Sequence, residues 1–107
     1  MSKNTPYKDY LRETLKGPKE AAAYLDEALK DADPSVFTLA LRDVVDACGG
    51  GIAAIARKTS LNREGLYRML SEKGNPRFKN LNSLMVSLGL ELHAMAKGNT
   101  ANIHPRK

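Results

Sequence analysis

Apolar residues recur along this chain at helical spacing, in segments separated by proline and glycine. In residues 5–16, Tyr7, Leu11 and Leu15 fall four apart, which puts them on one side of a short helix. Such a helix is marginal alone and has to be packed against something. Gly17 breaks the chain and Pro18 suits a first helical turn; Ala21, Leu25, Ala28 and Leu29 then form a stripe that predicts a second helix to about Lys30. Asp33 and Pro34 repeat the start signal as cap and first-turn residue, and Phe37, Ala40, Leu41, Val44, Val45 and Cys48 mark one broad apolar face. This third helix is the expected main core element. Gly49, Gly50 and Gly51 end it, because glycine enters the left-handed region that other residues avoid.

Beyond the glycines the pattern predicts a short helix over 52–58, a tight break at 59–61, and a second short helix that starts at Asn62 or Arg63 and runs to Leu70. Asn62 is a good N-cap, and Leu61 before it can staple against Leu66. Residues 71–77, holding Gly74, Asn75 and Pro76, read as a loop. Phe78, Leu81, Leu84, Met85 and Leu88 predict a last helix that Gly89 ends. Leu90, Leu92, Ala94 and Ala96 then alternate with Glu91, His93 and Met95, the period of a short strand. With no ladder partner in the chain, this strand is expected to pair with a second copy or with another protein. Residues 97–107 are polar and expected to form a flexible tail.

Composition narrows the class. A chain of 107 residues suits one domain with one modest core. It has no run of about 18 apolar residues, and residues 1–10 lack the apolar centre of a signal peptide, so a cytoplasmic protein without a membrane segment is expected. Cys48 is alone and there is no CxxC or HxxxH spacing, so neither a metal nor another cofactor is expected. Catalysis has little to work with: His93, His104, a cysteine within an apolar stripe, and no paired carboxylates in a glycine-rich pocket. The chain is therefore read as a non-enzyme. The net charge of +5 is unevenly spread, with 7 Lys/Arg against 9 Asp/Glu in residues 1–48 (net −2) and 10 against 3 in residues 49–107 (net +7). A basic half attracts a polyanion through its phosphates.

The two short helices place that charge. They can cross closely only with a small residue at the contact, which Ala56 supplies, and apolar anchors around it, which are Ile52, Ile55, Leu61, Leu66, Met69 and Leu70. Val44, Val45 and Leu84 are available beneath. With those positions inward, the outer side of the second helix carries Arg63, Glu64, Tyr67 and Arg68 next to Asn62, an arrangement that suits insertion into a major groove. Arginine can bond a guanine edge with two parallel hydrogen bonds and asparagine can do so for adenine. Tyr67 suits a phosphate or a thymine methyl. Arg57, Lys58, Lys73, Arg77 and Lys79 flank the pair, where they can grip sugar-phosphate backbone. The plainer alternative is a solvated basic face of a helical bundle. Glu64 would repel phosphate if turned outward, but it can stabilise a helix N-terminus. Gly65 reads either as a close approach, to DNA or to the preceding helix, or as a tolerated weak spot.

The stretch GGIAAIARKTSLNREGLYRMLSEKGNPRFKNLNSLMVSLGLEL resembles the helix-turn-helix of phage Cro/cI-type repressors, the XRE class. More narrowly, YLDEALKDADPSVFTLALRDVVDACGG followed by LNREGLYRMLSEKGNP is similar to prophage-type addiction-module antidote proteins related to HigA antitoxins. The likeness spans residues 24–96 and departs from the common repressor pattern at Ser60, where many members have glycine, and at Leu70, where many have an acidic residue. It implies an all-α, lambda repressor-like helix-turn-helix domain over residues 18–96, with an N-terminal helical extension over 1–17 that can bind a partner, the short C-terminal strand, and the tail over 97–107.

The resemblance also implies partners: double-stranded operator DNA bound by a homodimer paired through the C-terminal strand, and a HigB-like toxin of the RelE/ParE superfamily, usually encoded in the adjacent gene. Such a toxin should be basic, so Asp26, Glu27, Asp31 and Asp33, with Asp43 and Asp46, are the expected toxin contacts by charge complementarity, against the alternative of a solvated acidic face. The functional expectation is an autorepressing antitoxin; the alternative is a stand-alone prophage regulator with no toxin.

Overall fold

A computed structural model describes residues 6–97, and the described residues are helix, turn and loop throughout. Their six helices are α1 (Pro6–Thr14), α2 (Pro18–Leu29), α3 (Pro34–Cys48), α4 (Ile52–Lys58), α5 (Arg63–Met69) and α6 (Phe78–Ser87). Residues 1–5 and 98–107, with His104 and nearly all of the expected tail, lie outside the described residues. Among the described residues no helix is long and apolar enough to cross a membrane.

α3 is the centre because its apolar face is the widest. Leu41, Val44 and Val45 are almost wholly shielded from solvent, and α1, α2 and α4 all pack against this helix. Leu15, Ile55, Leu66, Leu70 and Leu84 are the other large side chains buried to the same degree. Each such side chain contributes about 1.5 to 3 kcal/mol relative to an exposed one. The ends of α3 follow local chemistry. Asp33 Oδ1 accepts the Ser35 amide at 3.0 Å, which caps the helix and holds the Asp33 carboxyl below the usual carboxylate range. At the other end Gly50 (φ +82°) and Gly51 (φ +94°) turn the chain into α4, and the Gly51 amide donates back to the Val45 carbonyl at 3.0 Å.

The expected C-terminal strand is not present among the described residues. The chain leaves α6 through Gly89, whose φ is +80°, and the Leu90 amide donates to the Met85 carbonyl at 2.8 Å while the Gly89 amide donates to Val86. This is a Schellman closure, and it uses the first backbone donor that the strand would have offered, the Leu90 amide. Leu90 is then buried and Leu92 half-buried against the helical core while Ala94 and Ala96 are exposed, so only the first half of the alternation matches burial, and helices supply it.

Three stripe positions also differ from expectation. Tyr7 is 56% exposed, so α1 is anchored by Leu11 and Leu15 while Tyr7 uses its hydroxyl, 3.4 Å from Asp43 Oδ2. Leu29 and Phe78, expected inward, are 58% and 71% exposed. Both stand at a helix end, the last residue of α2 and the first of α6, where the neighbouring turn that would cover them is missing.

Candidate nucleic-acid interface

α4 and α5 are held together by a turn that its own side chains brace. Thr59 Oγ1 donates to the Ile55 carbonyl at 2.9 Å and accepts the Leu61 amide at 3.1 Å, so one hydroxyl ties the end of α4 to the chain leaving it. Asn62 Oδ1 then accepts the Gly65 amide at 2.6 Å and starts α5. A Cβ built on Gly65 would lie 3.0 Å from that same Asn62 oxygen, so the close approach at Gly65 is to the cap itself. Ile52, Ile55, Leu66 and Met69 are buried between the two helices and the core, with Ala56 and Leu61 half-buried beside them.

What remains outside is polar. Asn62, Arg63, Glu64, Tyr67 and Arg68 are all exposed on or beside α5, and Glu64 lies in its first turn, where the positive end of the helix dipole favours a carboxylate. The loop after α5 folds back beneath that helix. Gly74 approaches the Met69 and Arg68 carbonyls so closely that a Cβ there would collide with the Met69 oxygen, and its amide donates to Ser71 at 2.8 Å. Arg68, Lys73 and Arg77 are thereby brought to one groove together with Asn62, Asn75 and Asn80. Lys58 sits apart, beside Asn82, Ser83 and Val86 of α6. Arg57 and Lys79 are exposed at the end of α4 and in the first turn of α6.

Sequence reasoning missed Arg42. It belongs to α3, off the apolar face, and its guanidinium carbon lies over the Tyr67 ring at 5.4 Å from the centroid. Arg42 Nε is closed to solvent and 3.5 Å from Asp46 Oδ2, an ion pair without a hydrogen bond. The i, i+4 spacing of Arg42 and Asp46 was the available signal. Asn75 and Asn80 were also missed, because loop folding alone brings them to the groove.

The carboxylates divide into two groups. Asp26, Glu27, Asp31 and Asp33 are exposed along the second half of α2 and the connection to α3, with Glu27 paired to Lys30 at 3.4 Å. Asp43 and Asp46 are half-buried and already engaged. The Tyr24 hydroxyl donates to Asp43 Oδ2 at 2.7 Å, and Asp46 faces Arg42. Burial, followed by the hydroxyl of Tyr7 and the carboxylate of Asp43, raises the Tyr24 hydroxyl well above the ordinary phenol range. Among the described residues no three His, Cys, Asp or Glu side chains gather to hold a metal.

Comparison with known proteins gives this geometry a family. The sequence profile of the family described as "Probable addiction module antidote protein" matches residues 7–96. A protein of Haemophilus influenzae, described as "Uncharacterized protein", is 35% identical over 85 residues, covering 78% of this chain and 86% of that one. No solved structure matches. The profile takes in all six described helices except the first residue of α1, and on that extent of match the chain belongs to the addiction-module antidote family.

Proposed function

We propose that this antidote protein is an autorepressing antitoxin with an XRE-type helix-turn-helix: α5 enters the major groove of operator DNA, and a second activity of the same chain neutralises a basic toxin of the RelE/ParE superfamily. The observation that carries the DNA half is the division of α5 into a buried side, Leu66 and Met69, and an exposed side of Arg63, Tyr67 and Arg68, with Arg68 sharing its groove with Lys73 and Arg77. Arg63 and Arg68 suit base edges, and Lys73, Arg77, Arg57, Lys58 and Lys79 suit phosphates. Two copies on a two-fold operator would set two such helices one turn of DNA apart. Family membership supports the toxin half.

Fluorescence anisotropy with a duplex from upstream of its own gene, beside a scrambled duplex, tests the DNA half. Arg63→Ala and Arg68→Ala should each cost about 1 to 3 kcal/mol on the operator and far less on the scrambled duplex. Equal affinity of the wild type for both duplexes would remove operator recognition. Losses confined to the salt-dependent, sequence-independent part would leave phosphate contact only. For the toxin half, the product of the adjacent gene should co-purify with the chain; a product that stays unbound removes that half alone.

A further inference from the structure

Two apolar grooves adjoin on the side of the molecule formed by α2, the start of α3, α6 and the segment after it, and the first meets the groove of Arg68 at Met69, Gly74, Asn75 and Pro76. The first runs over Ala28, Leu41 and Leu81, the second over Leu25, Met85 and Leu92, and Leu29 and Phe37 line both. Leu29, more than half exposed, thus stands as an apolar ridge between two depressions. The carboxylates dominate the rim, although His93 also lines the second groove with its Nε2 3.7 Å from Glu91 Oε2. Asp31 and Asp33 border the first groove, Asp26 and Glu91 the second, and no lysine or arginine lines either, in a chain whose net charge is +5. The Ser35 amide keeps Asp33 ionised, and Asp31 Oδ1 accepts the Asp33 amide at 2.9 Å, so both carboxylates at the α2–α3 connection are fixed in place.

We propose that this double groove is the surface on which the antidote captures its partner, a basic protein that seats an apolar side chain against Leu29 and Phe37 and sets lysine or arginine on Asp26, Asp31, Asp33 and Glu91. The inference rests on the antitoxin reading and adds the place and the chemistry of capture. Charge decides against other occupants. Nucleic acid is repelled by four carboxylates, and a two-fold contact with a second copy would set the acidic rims against each other. A cationic partner gains from the rim in encounter rate and specificity, and from the apolar ridge in residence time.

The test is the affinity of the full chain for the purified product of the adjacent gene. Leu29→Gln alters only the ridge, and Asp26→Lys with Glu91→Lys alters only the rim; Asp31 and Asp33 are left intact because their carboxylates accept backbone amides at the start of α3. Each should weaken the complex at least about tenfold, and wild-type affinity should fall with salt, while circular dichroism and operator binding stay unchanged. Glu13→Lys, on α1 away from both grooves, should cost little. Undiminished affinity in the groove variants would overturn the proposal, and so would an equal loss from Glu13→Lys. Conversion of a dimer to a monomer by Leu29→Gln, with partner affinity intact, would assign the surface to a second copy and overturn it too. If the wild type forms no complex at all, the toxin half of the functional reading fails and this surface falls with it, whereas failure of the variants alone leaves that half standing.

Discussion

The guanidinium of Arg42 on α3 covers one side of the Tyr67 ring on α5, 5.4 Å from its centroid, and so a core helix reaches a side chain of α5 that is 48% exposed. A cation over an aromatic face contributes about 0.5 to 1 kcal/mol at such partly exposed sites. A cation held over one face also limits where the Tyr67 ring can lie.

Arg42→Met keeps most of the side-chain length and removes the cation. Operator affinity should fall several-fold, with little change in melting temperature. In a Tyr67→Ala background the same substitution should cost almost nothing, because the ring it acts through is gone. Undiminished loss in that background, together with a salt slope reduced by about one, would show instead that Arg42 touches phosphate directly.

The cap of α5 gives a second prediction. Asn62→Ala removes the oxygen that accepts the Gly65 amide and should cost about 1 kcal/mol, or a fall of about 4 to 8 °C in melting temperature for a domain of this size. Gly65→Ala has two opposing effects: better helix propensity, worth up to about 1 kcal/mol, and a Cβ pressed 3.0 Å from the Asn62 oxygen. It should therefore gain nothing in the wild type and stabilise the Asn62→Ala variant, as thermal denaturation of the four-protein cycle would show. The same gain in both backgrounds would mean that glycine and cap act independently.

These two relationships mark what the sequence makes legible. Caps and breaks are local, so Asp33, Asn62, the three glycines and Gly89 signal helix ends within a residue or two of where they fall. The outward set on α5 follows from the same periodicity. Arg42 over Tyr67, the groove shared by Arg68, Lys73 and Arg77, and the hydroxyl pair on Asp43 depend on how distant segments cross, and no spacing records that. The expected strand shows the opposite limit: at Leu90 and Leu92 the alternation marks burial that helices supply in place of a sheet, and at Ala94 and Ala96 it marks none. Leu29 is the most useful failure, because helical spacing places it inward and only the end of α2 leaves it out.

Stability should also carry a signature on the alkaline side. Cys48 Sγ donates to the Leu15 carbonyl at 3.0 Å, and burial, with a smaller contribution from the charge of Glu20, raises the thiol above its ordinary value. The Tyr24 hydroxyl is raised in the same direction, by burial first. A group that holds its proton more tightly in the folded chain than in the unfolded one stabilises the fold fully below its unfolded pKa. Above that value the unfolded chain ionises first, and the contribution is lost as pH rises through the folded pKa. The urea midpoint should therefore be flat near neutrality and fall once the ordinary thiol range is passed, then fall further through the phenol range. Cys48→Ala should remove the first decline and keep the second, and Tyr24→Phe should do the reverse. Alkylation of native Cys48 by iodoacetamide should be slow beside the urea-unfolded chain at the same pH, because the protonated thiol is a poor nucleophile. Equal labelling rates, or a Cys48→Ala profile identical to that of the wild type, would show that the thiol is not held against the Leu15 carbonyl in solution.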